Sequence, residues 1–114
     1  MAEPTAEALY DDASGDLAVG DFDAAIVKYR RSVEIDPVFF DGWHALGMAL
    51  MKKGDLKPAI GAALMATDLR PNDLLAWTAL SQMYMKDGQI AEAEAAKSNA
   101  TVIGIGGKVK KDSN

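Results

Sequence analysis

The chain has 114 residues and carries 12 basic and 17 acidic side chains, which gives a formal net charge of −5. A nucleic-acid-binding protein usually presents a basic patch or stripe, so this balance argues against that class of partner. Cysteine is absent, which excludes a disulfide framework and a thiolate metal site and is typical of a reducing compartment.

Two further absences bear on location. No apolar run approaches the ~20 residues that a membrane-spanning helix needs. The opening residues 1–5 lack the basic and apolar regions of a secretory signal. The sequence therefore predicts a soluble, cytoplasmic protein with one domain's worth of chain.

The hydrophobic pattern predicts six helices and no strand. Apolar residues recur at the three- and four-residue spacing of one helix face, as in Phe22, Ala25, Ile26, Tyr29 and Val33. Glycines and prolines separate the segments that carry this pattern. The predicted helices span residues 6–19, 22–35, 41–52, 56–70, 73–86 and 89–102.

Both ends of the chain are expected to be loose. Residues 1–5 precede the first helical pattern and are expected to be frayed. The last helix is followed by Gly104, Gly106 and Gly107 and then by a lysine-rich stretch with few apolar groups. Residues 104–114 are therefore predicted to form a flexible tail.

Many of the same residues recur along the chain at a spacing of 34 residues. A fixed period between about 20 and 50 residues is typical of repeat arrays. The recurring sets are Gly20, Gly54 and Gly88; Ala25, Ala59 and Ala93; Trp43 and Trp77; Leu46 and Leu80; and Pro37 and Pro71. The sequence therefore predicts three units.

These units resemble the tetratricopeptide repeat, whose pattern is Trp-x2-Leu-Gly-x2-Tyr, then Ala-x3-Phe, then Pro. The central unit matches it as Trp43-x2-Leu46-Gly47, Ala59 and Pro71. Leu50 and Ala63 replace the tyrosine and the phenylalanine of that pattern. In the third unit Lys97 and Ile105 replace the last aromatic residue and the proline, and the first unit is weak in its first half.

The resemblance implies an all-α fold, an α-solenoid of three antiparallel helix-turn-helix repeats in a right-handed superhelix. The three units would span residues 6–39, 40–73 and 74–103. Small residues such as Gly47 and Ala63 are expected to let the helices approach closely, while Trp43, Leu50 and Leu64 fill the space between them.

No signature of catalysis stands out. The phosphate-binding loop, the nucleophile elbow and the zinc-protease motif are all missing. His44 is the only histidine, and it has no second histidine or cysteine with which to complete a metal site. The sequence predicts a protein that is not an enzyme and that holds no cofactor or metal.

The resemblance points instead to a scaffold or adaptor that binds another protein. In tetratricopeptide-repeat proteins the first helix of each unit lines a concave groove, which commonly receives a peptide or a partner's helix. Helical spacing predicts that this groove is lined by Tyr10, Ser14, Leu17, His44, Met48, Met51, Thr78, Gln82 and Met85. These positions lack the lysines, arginine and asparagines that grip a C-terminal carboxylate in some members, which disfavours an acidic-tail chaperone ligand.

The methionines among these positions allow two interpretations. Methionine is flexible and is over-used at adaptable binding surfaces, so Met48, Met51 and Met85 favour a groove for a segment with apolar anchors. Alternatively, the same side chains fill contacts between neighbouring helical hairpins.

Self-association is a second hypothesis. Solenoid ends expose unpaired faces unless they are capped by polar residues. The last predicted helix is only partly polar, and Ile103 and Ile105 lie at its end. The acidic first unit would also attract the tail of another molecule through Lys108, Lys110 and Lys111. Head-to-tail contacts of this kind generate rings or filaments.

Overall fold

A computed structural model describes residues 3–109, and within them the chain forms six α-helices and no strand. The helices are α1 (Ala6–Ala18), α2 (Phe22–Ile35), α3 (Phe40–Lys53), α4 (Leu56–Leu69), α5 (Leu74–Lys86) and α6 (Ile90–Gly104). Each bound lies within two residues of the predicted one. The all-α prediction is confirmed.

The helices pair as three hairpins because a glycine ends the first helix of each pair. Gly20, Gly54 and Gly88 have φ values of 82°, 96° and 78°, a left-handed conformation that residues with a Cβ rarely adopt. Side chains at helix starts then satisfy free backbone N–H groups. Asp21 Oδ1 accepts from Ala24 N, and Asp73 Oδ1 accepts from Ala76 N.

The hairpins stack in series into an elongated body of 46 × 28 × 24 Å. Each helix packs against the next along the chain, α1 also contacts α3, and α3 also contacts α5. In contrast, no Cα atom of α2 lies within 8 Å of α4 in the described residues. The stack therefore curves, with α1, α3 and α5 on its inner side and α2, α4 and α6 on its outer side.

The core runs between the hairpins, and small residues allow its close packing. A Cβ added at Gly47 of α3 would lie 3.1 Å from Met83 Cε of α5 and 3.3 Å from the carbonyl oxygen of Ala59 in α4. Ala63 is also buried, as predicted. Leu50 is buried as expected, but the expectation for Leu64 is wrong, because 45% of that residue is exposed.

The chain ends make contacts where the structure describes them. Glu3 Oε1 accepts from Arg31 Nη2 at 3.2 Å. After α6, the backbone N–H of Val109 donates to Asn72 Oδ1 at 2.8 Å, in the turn between α4 and α5. The predicted flexibility of residues 1–5 and 104–114 stays a prediction, and Lys110 and Lys111 lie outside the described residues.

Candidate functional site

The inner side of the stack is the candidate site, and α1 contributes least free surface to it. The Tyr10 ring packs against the rings of Phe39 and Tyr29, with centroid distances of 5.4 and 5.7 Å. The Ser14 hydroxyl shares a hydrogen bond of 2.9 Å with the Tyr29 hydroxyl, and burial raises the pKa of Tyr29. Leu17 packs on the core. Tyr10 and Ser14 therefore tie α1 to α2, and Tyr10 also contacts the turn before α3.

The candidates on α3 are half-buried. His44 stacks on Phe40 with a centroid distance of 5.8 Å and an interplanar angle of 8°. On the same Phe40 ring, the guanidinium carbon of Arg70 lies 4.2 Å from the centroid. Met48 and Met51 both pack against the core. The three candidates on α3 therefore use part of their surface for contacts inside the protein, and only the remainder is accessible to a partner.

The candidates on α5 are the most accessible. Met85 is 46% exposed and Gln82 is also exposed. Thr78 is half-buried, and its Oγ1 donates to the Leu74 carbonyl oxygen at 2.9 Å. Leu75, which is not among the predicted groove residues, is 68% exposed and lies three residues before Thr78. Extending the helical spacing back by one turn would have found it.

The methionines fit both interpretations in part, since some fill contacts between helices and others remain accessible to a partner. Met83 was not a candidate and is fully buried. Met48 and Met51 contribute to the core and keep part of their surface accessible, while Met85 is largely free. Which of these residues contact a partner stays a prediction.

Ion pairs connect neighbouring helices of the stack. Asp16 of α1 accepts from Lys28 Nζ of α2 at 2.7 Å, and this bond raises the pKa of Lys28. Asp87, at the end of α5, accepts from Lys57 Nζ of α4 at 2.7 Å. Hydrogen bonds from Lys57 and then from Gln89 lower the pKa of Asp87. These contacts tie neighbouring helices together.

Within residues 3–109 no group of three or more histidine, aspartate or glutamate side chains is arranged to hold a metal ion. None of the helices in that range combines the length and the apolar character that crossing a bilayer requires.

Comparisons with known proteins agree with this geometry. The family model described as Tetratricopeptide repeat matches residues 40–73, the predicted central unit. No curated protein sequence matches the chain. The six helices fit about three tetratricopeptide repeats, so the predicted repeat type and the helical-repeat solenoid are confirmed.

Solved structures share the fold at low sequence identity. A crystal structure of MamA is 24% identical with a TM-score of 0.85, over 89% of this chain and 59% of that chain. The second TPR of Spaghetti (RPAP3) bound to the HSP90 peptide SRMEEVD is 19% identical with a TM-score of 0.82, over 87% and 92%. The type III secretion translocator chaperone SycD of Yersinia enterocolitica is 18% identical with a TM-score of 0.83, over 92% and 80%. The chain therefore spans less than two thirds of the MamA structure.

Proposed function

We propose that this protein is a non-catalytic interaction scaffold whose repeat domain, residues 6–103, binds a peptide or a helix of a partner on its inner side. The observation that carries the proposal is the accessible inner face of α5. Leu75 and Met85 are 68% and 46% exposed there, with Gln82 between them. Apolar side chains at helical spacing are the anchors that a helix or extended segment uses in a groove.

The relatives in fold support a binding role. The similar repeats of RPAP3 hold the peptide SRMEEVD, and tetratricopeptide repeats are interaction modules. Fold alone does not fix function, so the residues of the inner side decide which segment is bound. Here those residues are largely uncharged, which favours a segment with apolar anchors over an acidic one. The proposal includes a cytoplasmic location, which the absence of cysteine favours.

Affinity capture from the native cell tests the proposal. The double variant Leu75→Glu, Met85→Glu puts two charges on the inner side, at positions that are exposed and whose change leaves the core intact. The matched control is Val27→Glu on α2, which is 67% exposed on the outer side. We expect the double variant to lose partners that the wild type and the control retain. Equal capture by all three proteins would contradict binding on this face.

Head-to-tail self-association is less well supported. Buried Ile26 and Ile60 correspond, at the 34-residue period, to exposed Glu94 of α6. Buried Tyr29 and Ala63 correspond to exposed Lys97. A second copy that stacked on α6 in the position of a fourth repeat would bury both charged side chains. Burying a charge that has no partner costs free energy.

The other end of the stack has the same character. Leu46 and Leu50, which are buried in α3, correspond to Asp12 and Asp16 of α1. Asp12 is exposed, and Asp16 is bonded to Lys28 within the first hairpin. Charged residues therefore occupy the stacking positions at both ends of the array.

A further inference from the structure

Two lysines belong to the inner side in addition to its predicted residues. Lys52 follows Met51 near the end of α3, and Lys86 follows Met85 at the end of α5. The two Met-Lys pairs lie at the 34-residue period, so they occupy the same place in their units. At about 100° per residue, Lys52 lies about 40° around α3 from Met48, which places it on the inner face.

The charges of these two lysines are not used inside the protein. Both side chains are exposed, and among residues 3–109 no carboxylate lies within 4 Å of either of them. By contrast, Lys28 and Lys57 are paired with aspartates of neighbouring helices. The inner ends of α3 and α5 therefore present two positive charges, each beside a methionine that is accessible in part.

A lysine in the last turn of a helix also interacts favourably with the free carbonyl groups there. In α3 that turn has a second lysine, Lys53, which pairs with Asp23 of α2 and is directed away from the inner side. A role in the helix alone predicts an effect of Lys52 and Lys86 on stability. A role in binding predicts an effect on affinity, and the two can be measured separately.

The other edge of the inner side carries the opposite charge. Asp41 lies seven residues before Met48, about 20° away around α3, and it is exposed. Glu7 occupies the equivalent place in α1 and is also exposed. The inner side is therefore acidic near the helix starts and basic near the ends of α3 and α5. Such a pattern fixes the orientation of a charged partner.

The spacing between the two Met-Lys pairs favours a helical partner. Helices α3 and α5 are in contact, and the axes of packed helices lie about 8–10 Å apart. Because the pairs are equivalent in their units, a similar distance separates them. Residues seven apart on a helix share one face and lie about 10.5 Å apart. In an extended strand three residues cover about 10 Å, but side chains three apart point to opposite faces.

We propose that the segment bound on the inner side is an amphipathic helix with an apolar residue and a neighbouring acidic residue at two places seven residues apart. It crosses α3 and α5 near their C-terminal ends. Its apolar side chains contact Met51 and Met85, and its carboxylates bond to Lys52 and Lys86.

This inference rests on the proposed function and deepens it, because it gives the conformation and the charge of the bound segment. Exposed ion pairs contribute little free energy. The apolar anchors therefore supply most of the affinity, and the two lysines select among segments that carry such anchors.

Selection from a displayed library of helical peptides tests the charge. The library holds leucine at two positions seven residues apart and varies the residues beside them among glutamate, glutamine and lysine. We expect glutamate to be enriched beside both leucines. Enrichment of glutamine or lysine overturns the inference and leaves binding on the inner side intact. If the protein enriches no peptide, both the inference and the proposed groove fail.

The selected peptide also tests the helical form. Proline placed midway between the two leucines should abolish binding, because proline is not tolerated in the interior of a helix. A peptide that binds equally well with the proline overturns the helical form of the partner.

Titration of the protein with the glutamate peptide tests the two lysines. Lys52→Gln, Lys86→Gln should weaken binding about three- to tenfold at low salt, and added salt should reduce the difference. The matched control is Arg30→Gln, Lys97→Gln, which removes two exposed charges from the outer helices α2 and α6 and should leave the affinity unchanged.

Charge exchange and urea unfolding complete the test. Lys52→Glu, Lys86→Glu should bind a peptide with lysines in place of its glutamates more tightly than the wild type does. Urea unfolding of each variant measures its stability. Equal affinity losses in the inner and outer double variants overturn the inference. A loss of stability without a loss of affinity also overturns it and assigns both lysines to their own helices.

Discussion

The indole Nε1–H of Trp43 donates a hydrogen bond of 2.8 Å to the carbonyl oxygen of Pro37, six residues earlier in the chain. Trp77 repeats the contact with Pro71 at 2.7 Å. In both cases the bond ties the first helix of a unit to the proline turn that ends the unit before it. The two tryptophans therefore make equivalent hydrogen bonds, as a true repeat requires.

This contact predicts a graded loss of stability at Trp43. Trp43→Phe keeps most of the packing and removes the donor, and we expect a loss of about 1 kcal/mol in the free energy of unfolding. Trp43→Ala also removes the ring that packs against the core, and we expect a loss of about 3 kcal/mol, the low end for tryptophan because Trp43 is half-buried. Urea unfolding followed by circular dichroism measures both. Equal losses for the two variants would show that the hydrogen bond, and not the ring, holds the turn.

Gly47 and Gly15 are both helical glycines, and the structure predicts opposite effects of adding a methyl group. Gly47→Ala pushes a Cβ to 3.1 Å from Met83 Cε and 3.3 Å from the Ala59 carbonyl oxygen, so we expect a loss of about 1–3 kcal/mol. Gly15→Ala meets no atom within 4 Å, so its higher helix propensity should stabilise the protein by about 0.5–1 kcal/mol. Thermal unfolding of both variants checks the signs. A stabilising Gly47→Ala would mean that α3, α4 and α5 are less tightly packed than described.

The Tyr29–Ser14 hydrogen bond predicts coupling between α1 and α2. Tyr29→Phe and Ser14→Ala each remove one partner of a bond of 2.9 Å. Each is expected to cost about 0.5–1.5 kcal/mol, and the double variant should lose less than the sum. A double-mutant cycle from urea unfolding measures the coupling energy. Additive losses would show that the two hydroxyls contribute no coupling energy to the folded state.

Asp87 predicts a pH dependence of stability in acid. Hydrogen bonds from Lys57 and Gln89 lower its pKa in the folded state, so the folded state favours the ionised form. The stabilisation is therefore present above the unfolded pKa, about 3.9, and is lost as the pH falls through the lower folded value. Asp87→Asn removes this contribution.

We expect the wild type to be more stable than Asp87→Asn near neutral pH, with the difference shrinking below pH ~4. Thermal midpoints of the two proteins over a pH series provide the measurement. A difference that stays constant down to strongly acidic pH would assign the effect to hydrogen bonding that does not depend on the charge.

The sequence by itself determined the helices, their hairpin turns and the number of units. These features are local, because the apolar spacing within one segment defines a helix and a glycine with positive φ or a proline ends it. The recurrence of Gly54, Trp43 and Pro71 at one period then fixes the repeat type.

Only the tertiary structure decided which side of each helix is covered. Residues 58–67 of α4 carry no charged side chain, so their pattern indicates no direction, and the prediction that Leu64 fills the interior was wrong. The same holds for methionine, since Met83 is fully buried and Met85 is 46% exposed on one helix. Whether a side chain is buried depends on which neighbouring hairpin covers it. That is a property of the whole stack and not of any single segment.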